Sequence, residues 1–231
     1  MNYIDLTLEL HDGIVTYKSH PPVSIKPSAT FESTGHRYEP PCLGFRSSMI
    51  SFSDHSGTHV DAPSHFLKDG KSAESLDFRK LLGSALVLDV TPWKRPEDPV
   101  TADMLTEAEK TQGLYVEEGD IVLIRTWPGQ WGDEGFFEAK ALDAGAARWL
   151  SEHRIHVVGV DLPNIDIHEN MKREAHLELL SKDILIVENL VNLDQVPKHS
   201  RFVFMGMPLK LRGATASPIR ALAILDAQFI D

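Results

Sequence analysis

The strongest constraint on this chain is the segment His55-Ser56-Gly57-Thr58-His59-Val60-Asp61-Ala62-Pro63-Ser64-His65, because no regular secondary structure lets its polar side chains meet. In an extended strand His55, His59 and Asp61 point to one face, yet four residues of strand span about 13 Å. Two ligands of one metal ion bring their donor atoms within roughly 3–4 Å, given metal–nitrogen bonds of about 2 Å. A helix brings His55 and His59 together but leaves Asp61 well off their face. The segment must therefore bend. Gly57 supplies the backbone freedom, while Pro63 forbids helical continuation and fixes the exit. The segment reads as a rigid, bent loop that points imidazoles and a carboxylate inward.

Isolated His-x-x-x-His pairs recur by chance in a chain this rich in histidine. Adding Asp61 and His65 at fixed spacing reduces that chance by roughly two orders of magnitude. Imidazole and carboxylate together suit zinc, manganese or another borderline divalent ion. The single cysteine, Cys42, offers no thiolate nearby. With His55, His59 and Asp61 as three protein ligands, an ion keeps an open position for water, the catalytic arrangement. His65 lies outside the tight ligand spacing, and an imidazole there is suited to carry protons.

The rest of the chain excludes several function classes. A length of 231 residues with 42% hydrophobic content fits one domain over 1–231 with a core of its own. The formal net charge of −11, with no run of Lys or Arg, argues against nucleic acid or an anionic membrane as partner. A lone cysteine forms no internal disulfide, and the N-terminal residues lack a signal-peptide pattern, so the cytoplasm is the expected compartment. No apolar run approaches the ~20 residues of a membrane span.

Residues 12–48 are rich in Pro, Gly, Ser and Thr and predict short strands around Ile14–Tyr17 and Val23–Lys26, with Met49–Phe52 leading into the histidine segment. Apolar, β-branched runs predict strands at Ser84–Val90, Ile121–Thr126, His156–Val160, Ile184–Glu188 and Phe202–Met205. Between them, Thr101 caps a helix through Lys110. Phe137–His153 reads as an amphipathic helix, and Met171–Leu180 as a shorter one with Leu177 and Leu180 facing in. The class is α/β: a mixed β-sheet or barrel-like β core with outer helices.

The same residues carry a resemblance. His55 to His65 fills every position of the His-x-Gly-Thr-His-x-Asp-x-Pro-x-His signature of the metal-dependent cyclase superfamily, which includes bacterial kynurenine formamidases and isatin hydrolases. Gly159-Val160-Asp161-Leu162-Pro163-Asn164-Ile165-Asp166 resembles the family's Gly-x-Asp-x-Pro-Ser-x-Asp segment, with Asn164 in place of Ser. Ala216-Ser217-Pro218-Ile219-Arg220-Ala221 resembles its C-terminal motif. The resemblance implies a swivelling β/α-barrel and a first zinc on His55, His59 and Asp61. It implies a second on His176 and Glu188 with Asp61 bridging, His65 as general acid/base, and a homodimer or homotetramer. Zinc is the expected ion, as one or two per chain, with manganese as the alternative. Two departures stand out. Where the formamidases carry Trp-Pro-Gly-Asp-x-Pro lining the substrate pocket, this chain has Tyr17-Lys18-Ser19-His20-Pro21-Pro22. Where they often carry a second adjacent histidine, it has Leu177.

Trp127 and Trp131 follow a predicted strand end and suit the wall of a pocket for a flat substrate. Tyr17 and Trp127 are therefore the expected substrate contacts. Lys18, Arg46 and Arg220 read as solvated or structurally paired charges. The expected function is hydrolysis of a C–N bond in a small amide, formamide or lactam by metal-activated water, in the manner of an arylformamidase. The alternatives are a lactone or ester hydrolase, a cyclase of the same superfamily, or a non-catalytic protein that binds metal or a small ligand.

Overall fold

A computed structural model describes residues 2–226. In chain order its elements are β1 (Tyr3–Asp5), β2 (Ser24–Ala29), α1 (Phe31–Thr34), β3 (Ser47–Ser51), β4 (His59–Asp61), β5 (Leu82–Asp89) and α2 (Ala102–Gln112). They continue with β6 (Ile121–Arg125), α3 (Ala144–Glu152), β7 (Val157–Val160), α4 (Glu174–Ser181), β8 (Leu185–Glu188), β9 (Phe202–Pro208) and β10 (Ala216–Ile224).

The β-branched runs form a barrel. Hydrogen bonding passes through β10, β4, β8, β7, β6, β5 and β9 and closes from β9 back to β10, with β1 added beside β10. The β5–β6, β6–β7 and β7–β8 pairs are parallel. A parallel pair needs a long crossover, and α2, α3 and α4 supply one each. Alternation along each strand then divides the core in two. On β5, Ala85 and Val87 point into the barrel with Val60, Ile121, Leu123, Val187 and Phe204. Leu86 and Leu88 point outward with Val122, Ile124 and Ile186, beneath Leu105 of α2, Leu150 of α3 and Leu179 of α4. No helix among the described residues is long and apolar enough to cross a membrane.

Several boundaries differ from the sequence reading, each for a local reason. The predicted helix Phe137–His153 begins at Ala144, because Asp143 caps it by accepting from the Ala146 N–H at 2.7 Å. Leu142 just before it is extended and bridges Val100 and Asp166. The helix predicted from Met171 begins at Glu174, since Arg173 is left-handed at φ 50. Leu177 is exposed rather than inward, while Leu180 is buried. Ile14–Tyr17 is not a strand: Ile14 buries its side chain, but its backbone bonds are turn bonds to His11 and Val23. Thr101 does cap α2, accepting from the Met104 N–H.

Candidate metal centre

The bend that the histidine segment requires sits at Gly57, with φ +66. The left-handed conformation favours glycine, and a Cβ there would lie 2.6 Å from Leu10 Cδ2 and push that side chain aside. The next residue anchors the bend. Thr58 Oγ1 donates to the Asn189 carbonyl at 2.6 Å and accepts from the Leu8 N–H at 2.8 Å. After this the chain is not loop, as the sequence suggested, but strand β4. His59 and Asp61 are therefore two residues apart on one face, while Val60 between them enters the barrel. β4 pairs with β8 so that His59 lies opposite Glu188, which adds that carboxylate to the same outer face. Helix α4 covers this face and brings His176 down from its first turn.

These elements converge on Asp61. His55 Nδ1 lies 2.9 Å and His59 Nε2 3.3 Å from Asp61 Oδ1, and His176 Nε2 lies 3.3 Å from Oδ2. Glu188 closes the group, with its oxygens 3.5 Å from His59 Nε2 and 3.6 Å from His176 Nε2. Asp61 is fully buried. Neither of its oxygens, nor His59 Nε2, finds a hydrogen-bond partner among the described residues. Burying such a group without partners is costly, and a divalent cation bound by all three removes that cost. Candidate ligand atoms of His59, Asp61 and Glu188 lie within 4.8 Å of one another, as do those of His55, Asp61 and His65. Placed around Asp61, the five expected ligands thus form a donor set that fits one or two divalent ions.

Each imidazole is held from behind so that its other nitrogen faces the carboxylates. His59 Nδ1 donates to the Gly57 carbonyl at 2.8 Å. His176 Nδ1 donates to Asp166 at 2.6 Å. His55 Nε2 lies 2.9 Å from Thr215 Oγ1, whose own proton goes to Asp54 at 3.0 Å, so His55 donates to Thr215. Such outer partners fix tautomer and ring orientation in metal sites. Asp54, Thr215 and Asp166 have no assigned role in the sequence reading. Only Asp166 left a signal there, as the last residue of the Gly159–Asp166 motif. The same motif serves the site twice more: the Ile165 N–H donates to Glu188 Oε1 at 2.7 Å, and Asn164 Oδ1 accepts from the Asp166 N–H. Asp166→Asn should lower affinity for the ion at His176 by about 10–100-fold, read by competition with a chelating dye. Unchanged affinity would remove Asp166 from the site.

The electrostatics place protons where a metal would sit. Burial alone would raise Asp61, but the three surrounding imidazoles overcome it and hold the carboxyl well below its usual range. Burial and the Asp61 charge push Glu188 up to about 7. Burial opposes protonation of His59 and His176, yet Asp61 and Glu188 raise the first to about 9, and Asp166 with Asp61 raises the second to about 10. Both imidazoles therefore carry a proton at neutral pH that an incoming ion must displace. Metal binding at pH 7 should release protons, seen as calorimetric heats that scale with the buffer's ionisation enthalpy. Affinity should rise with pH below about 9, by up to tenfold per unit for each proton released. Buffer-independent heats would contradict this arrangement.

Above the cluster opens a cavity of about 240 Å³, with Tyr17, His20, His65, Phe66, Asn164 and Arg173 on its walls. Tyr17, one of the two expected substrate contacts, lines this cavity. Trp127, the other, does not. It is 8% exposed, donates from Nε1 to the Gln130 carbonyl and packs edge-on against Phe136, beside a separate, water-sized cleft. The reason is Asp161, which accepts from the Thr126 and Trp127 N–H groups and turns the loop after β6 into the core. Burial pushes this carboxyl up to about 6. Trp131 packs beside the same Phe136. Lys18 and Arg220 are exposed and paired with Glu138 and Asp5. His65, carried on the short turn that Pro63 begins, stacks 4.1 Å from the His55 ring. Burial pushes His65 down to about 4, so it is neutral at pH 7.

Known proteins resemble this chain in sequence and fold. A kynurenine formamidase from Bacillus cereus is 30% identical over 220 residues, covering 95% of this chain and 96% of that one. An isatin hydrolase solved with the product analogue thioisatinate is 27% identical with a TM-score of 0.79, over 96% of this chain and 91% of that one. Isatin hydrolase A from Labrenzia aggregata superposes with a TM-score of 0.82 at 24% identity, over 98% and 94% of the two chains, and so shares the fold. The family model described as a cyclase matches residues 4–167, which include the whole histidine segment, the bend at Gly57 and strand β4. The chain belongs to the cyclase family.

Proposed function

We propose that this enzyme hydrolyses a C–N bond in a small amide, formamide or lactam, with water activated at a zinc centre held by His55, His59, Asp61, His176 and Glu188. The observation that carries the reading is the set of three imidazoles, each tied at its far nitrogen and aimed at one buried, unsatisfied carboxylate. A divalent ion bound there polarises a carbonyl and brings the pKa of water toward neutrality. The remaining work falls to the chain. His65, neutral at pH 7 and facing the cavity, takes a proton from water and returns one to the leaving nitrogen. Tyr17 and Phe66 offer flat apolar walls to a planar substrate. Zinc is the preferred ion, since the donor set is imidazole and carboxylate; manganese is the alternative.

Amide relatives support C–N rather than ester cleavage. A panel of formanilide, a lactam and the matching phenyl formate ester, given to zinc- and manganese-reconstituted protein, separates the readings. Faster turnover of the amides relative to their uncatalysed rates supports the proposal. Rate enhancement on the ester alone would assign a lactone or ester hydrolase, and no turnover with metal bound would assign a binding protein. In the same reading the enzyme works in the cytoplasm as a homodimer or homotetramer. The exposed Leu43, Met49 and Ile50 near the β2–β3 pair support contact with a second copy.

A further inference from the structure

Among the described residues, the cavity above the candidate metal centre holds a guanidinium nitrogen with no hydrogen-bond partner. Arg173 lines it next to His65, Asn164 and His176. Its Nη1 is buried and makes no hydrogen bond among the described residues. The nearby carboxylates are engaged elsewhere: Asp61 and Glu188 face imidazoles, and Asp166 accepts from His176. An unpaired, part-buried guanidinium stands out in a chain with 34 acidic and 23 basic residues. Arginine is rarely buried without a carboxylate or phosphate. Arg173 also holds a left-handed backbone at φ 50 just before α4, a conformation that costs a non-glycine residue energy and concentrates at functional sites.

We propose that Arg173 is the anion receptor of this cavity and selects amides that carry a carboxylate away from the scissile bond. The guanidinium presents a planar fork that grips a carboxylate through two parallel hydrogen bonds, which lysine does not reproduce. At about 240 Å³ the cavity is smaller than the ~300–1,000 Å³ of drug-sized sites. It suits a single ring with its acyl nitrogen at the metal end and its carboxylate at the Arg173 end. Tyr17 and Phe66 would flank the ring, and Asn164 adds a polar group to the same wall. The notion of a substrate rests on the hydrolase reading, whereas the anion site itself does not.

The test compares wild type, Arg173→Gln and Arg173→Lys on 4-formamidobenzoate, whose carboxylate lies across the ring from the formamide, and its neutral counterpart formanilide, alongside calorimetric binding of benzoate. Wild type should favour 4-formamidobenzoate in kcat/KM. Arg173→Gln should reduce that preference by about 30-fold, chiefly through KM, and weaken benzoate by a similar factor. Formanilide kcat/KM should fall by no more than a few-fold, well short of the loss on the carboxylate substrate, with metal content kept. Arg173→Lys should recover part of the preference and of the benzoate affinity, which a purely structural arginine would not require. An unchanged preference in Arg173→Gln, or an equal loss on both substrates, would overturn the proposal. If wild type hydrolyses neither compound, the lactam and ester of the wider panel decide the hydrolase reading and benzoate alone decides the anion site: weaker binding to Arg173→Gln upholds it, and equal binding overturns it.

Discussion

His65→Ala is expected to keep its metal and lose roughly two to four orders of magnitude in kcat, the usual worth of a positioned general acid/base. His65 belongs to one of the two groups of side chains able to hold an ion, together with His55 and Asp61. It nevertheless differs from the ligands in one respect. His55, His59 and His176 are each fixed at the far nitrogen, whereas the His65 ring makes no hydrogen bond among the described residues and packs against the rings of His55, Phe66 and His176. A ring held only by packing can change its proton and its partner during a cycle. Burial keeps it neutral at pH 7, with a value of about 4, so its ring nitrogen is open, and a value that low favours handing a proton on to the leaving nitrogen. On acidification His59 and His176 become protonated long before His65 does. The acid limb of the rate profile should therefore follow loss of metal and be moved by metal concentration. Elemental analysis of His65→Ala decides its role: metal lost in step with activity would make His65 a ligand.

The second large effect is at Asp61. Asp61→Asn should abolish turnover and remove the metal, because this carboxylate is the point on which His55, His59 and His176 converge. The metal-free variant should suffer less in stability than in binding. Removing one partner of a buried charge pair costs about 3–5 kcal/mol when the other stays charged. Here His59 and His176 can discharge by releasing protons, so the loss in chemical denaturation should fall below that range, and further still at pH 9. A variant that binds zinc at wild-type stoichiometry would show that Asp61 is not the shared ligand.

Much of this was legible in the sequence, because the physics was local. β-Branched runs such as Ile121–Arg125 and Val157–Val160 are buried on both faces of the barrel wall and announce themselves as strands. The need for a bend at Gly57 followed from the reach of two side chains. What escaped reading depends on distant partners. β4 is three residues long, too short for any periodicity, and is a strand only because β8 and β10 flank it. β10 carries Pro218 and Arg220, which break the apolar run, yet it closes the barrel through β9. Trp127 looked like a pocket wall until Asp161 was seen to turn its loop inward. Thr215 lies 160 positions from His55, and no spacing rule connects them. Arg173 carries no signal in the sequence, and only the cavity shows that its Nη1 has no hydrogen-bond partner among the described residues.

The central claim is that side chains converging on Asp61 hold a catalytic divalent ion. Equilibrium dialysis against zinc followed by elemental analysis, on wild type and His59→Ala, tests it most directly. At least one tightly held ion per wild-type chain is expected, with turnover rising in proportion to occupancy, and His59→Ala should lose that ion. Full metal content in His59→Ala, or a wild-type chain that emerges from dialysis without zinc, would contradict it.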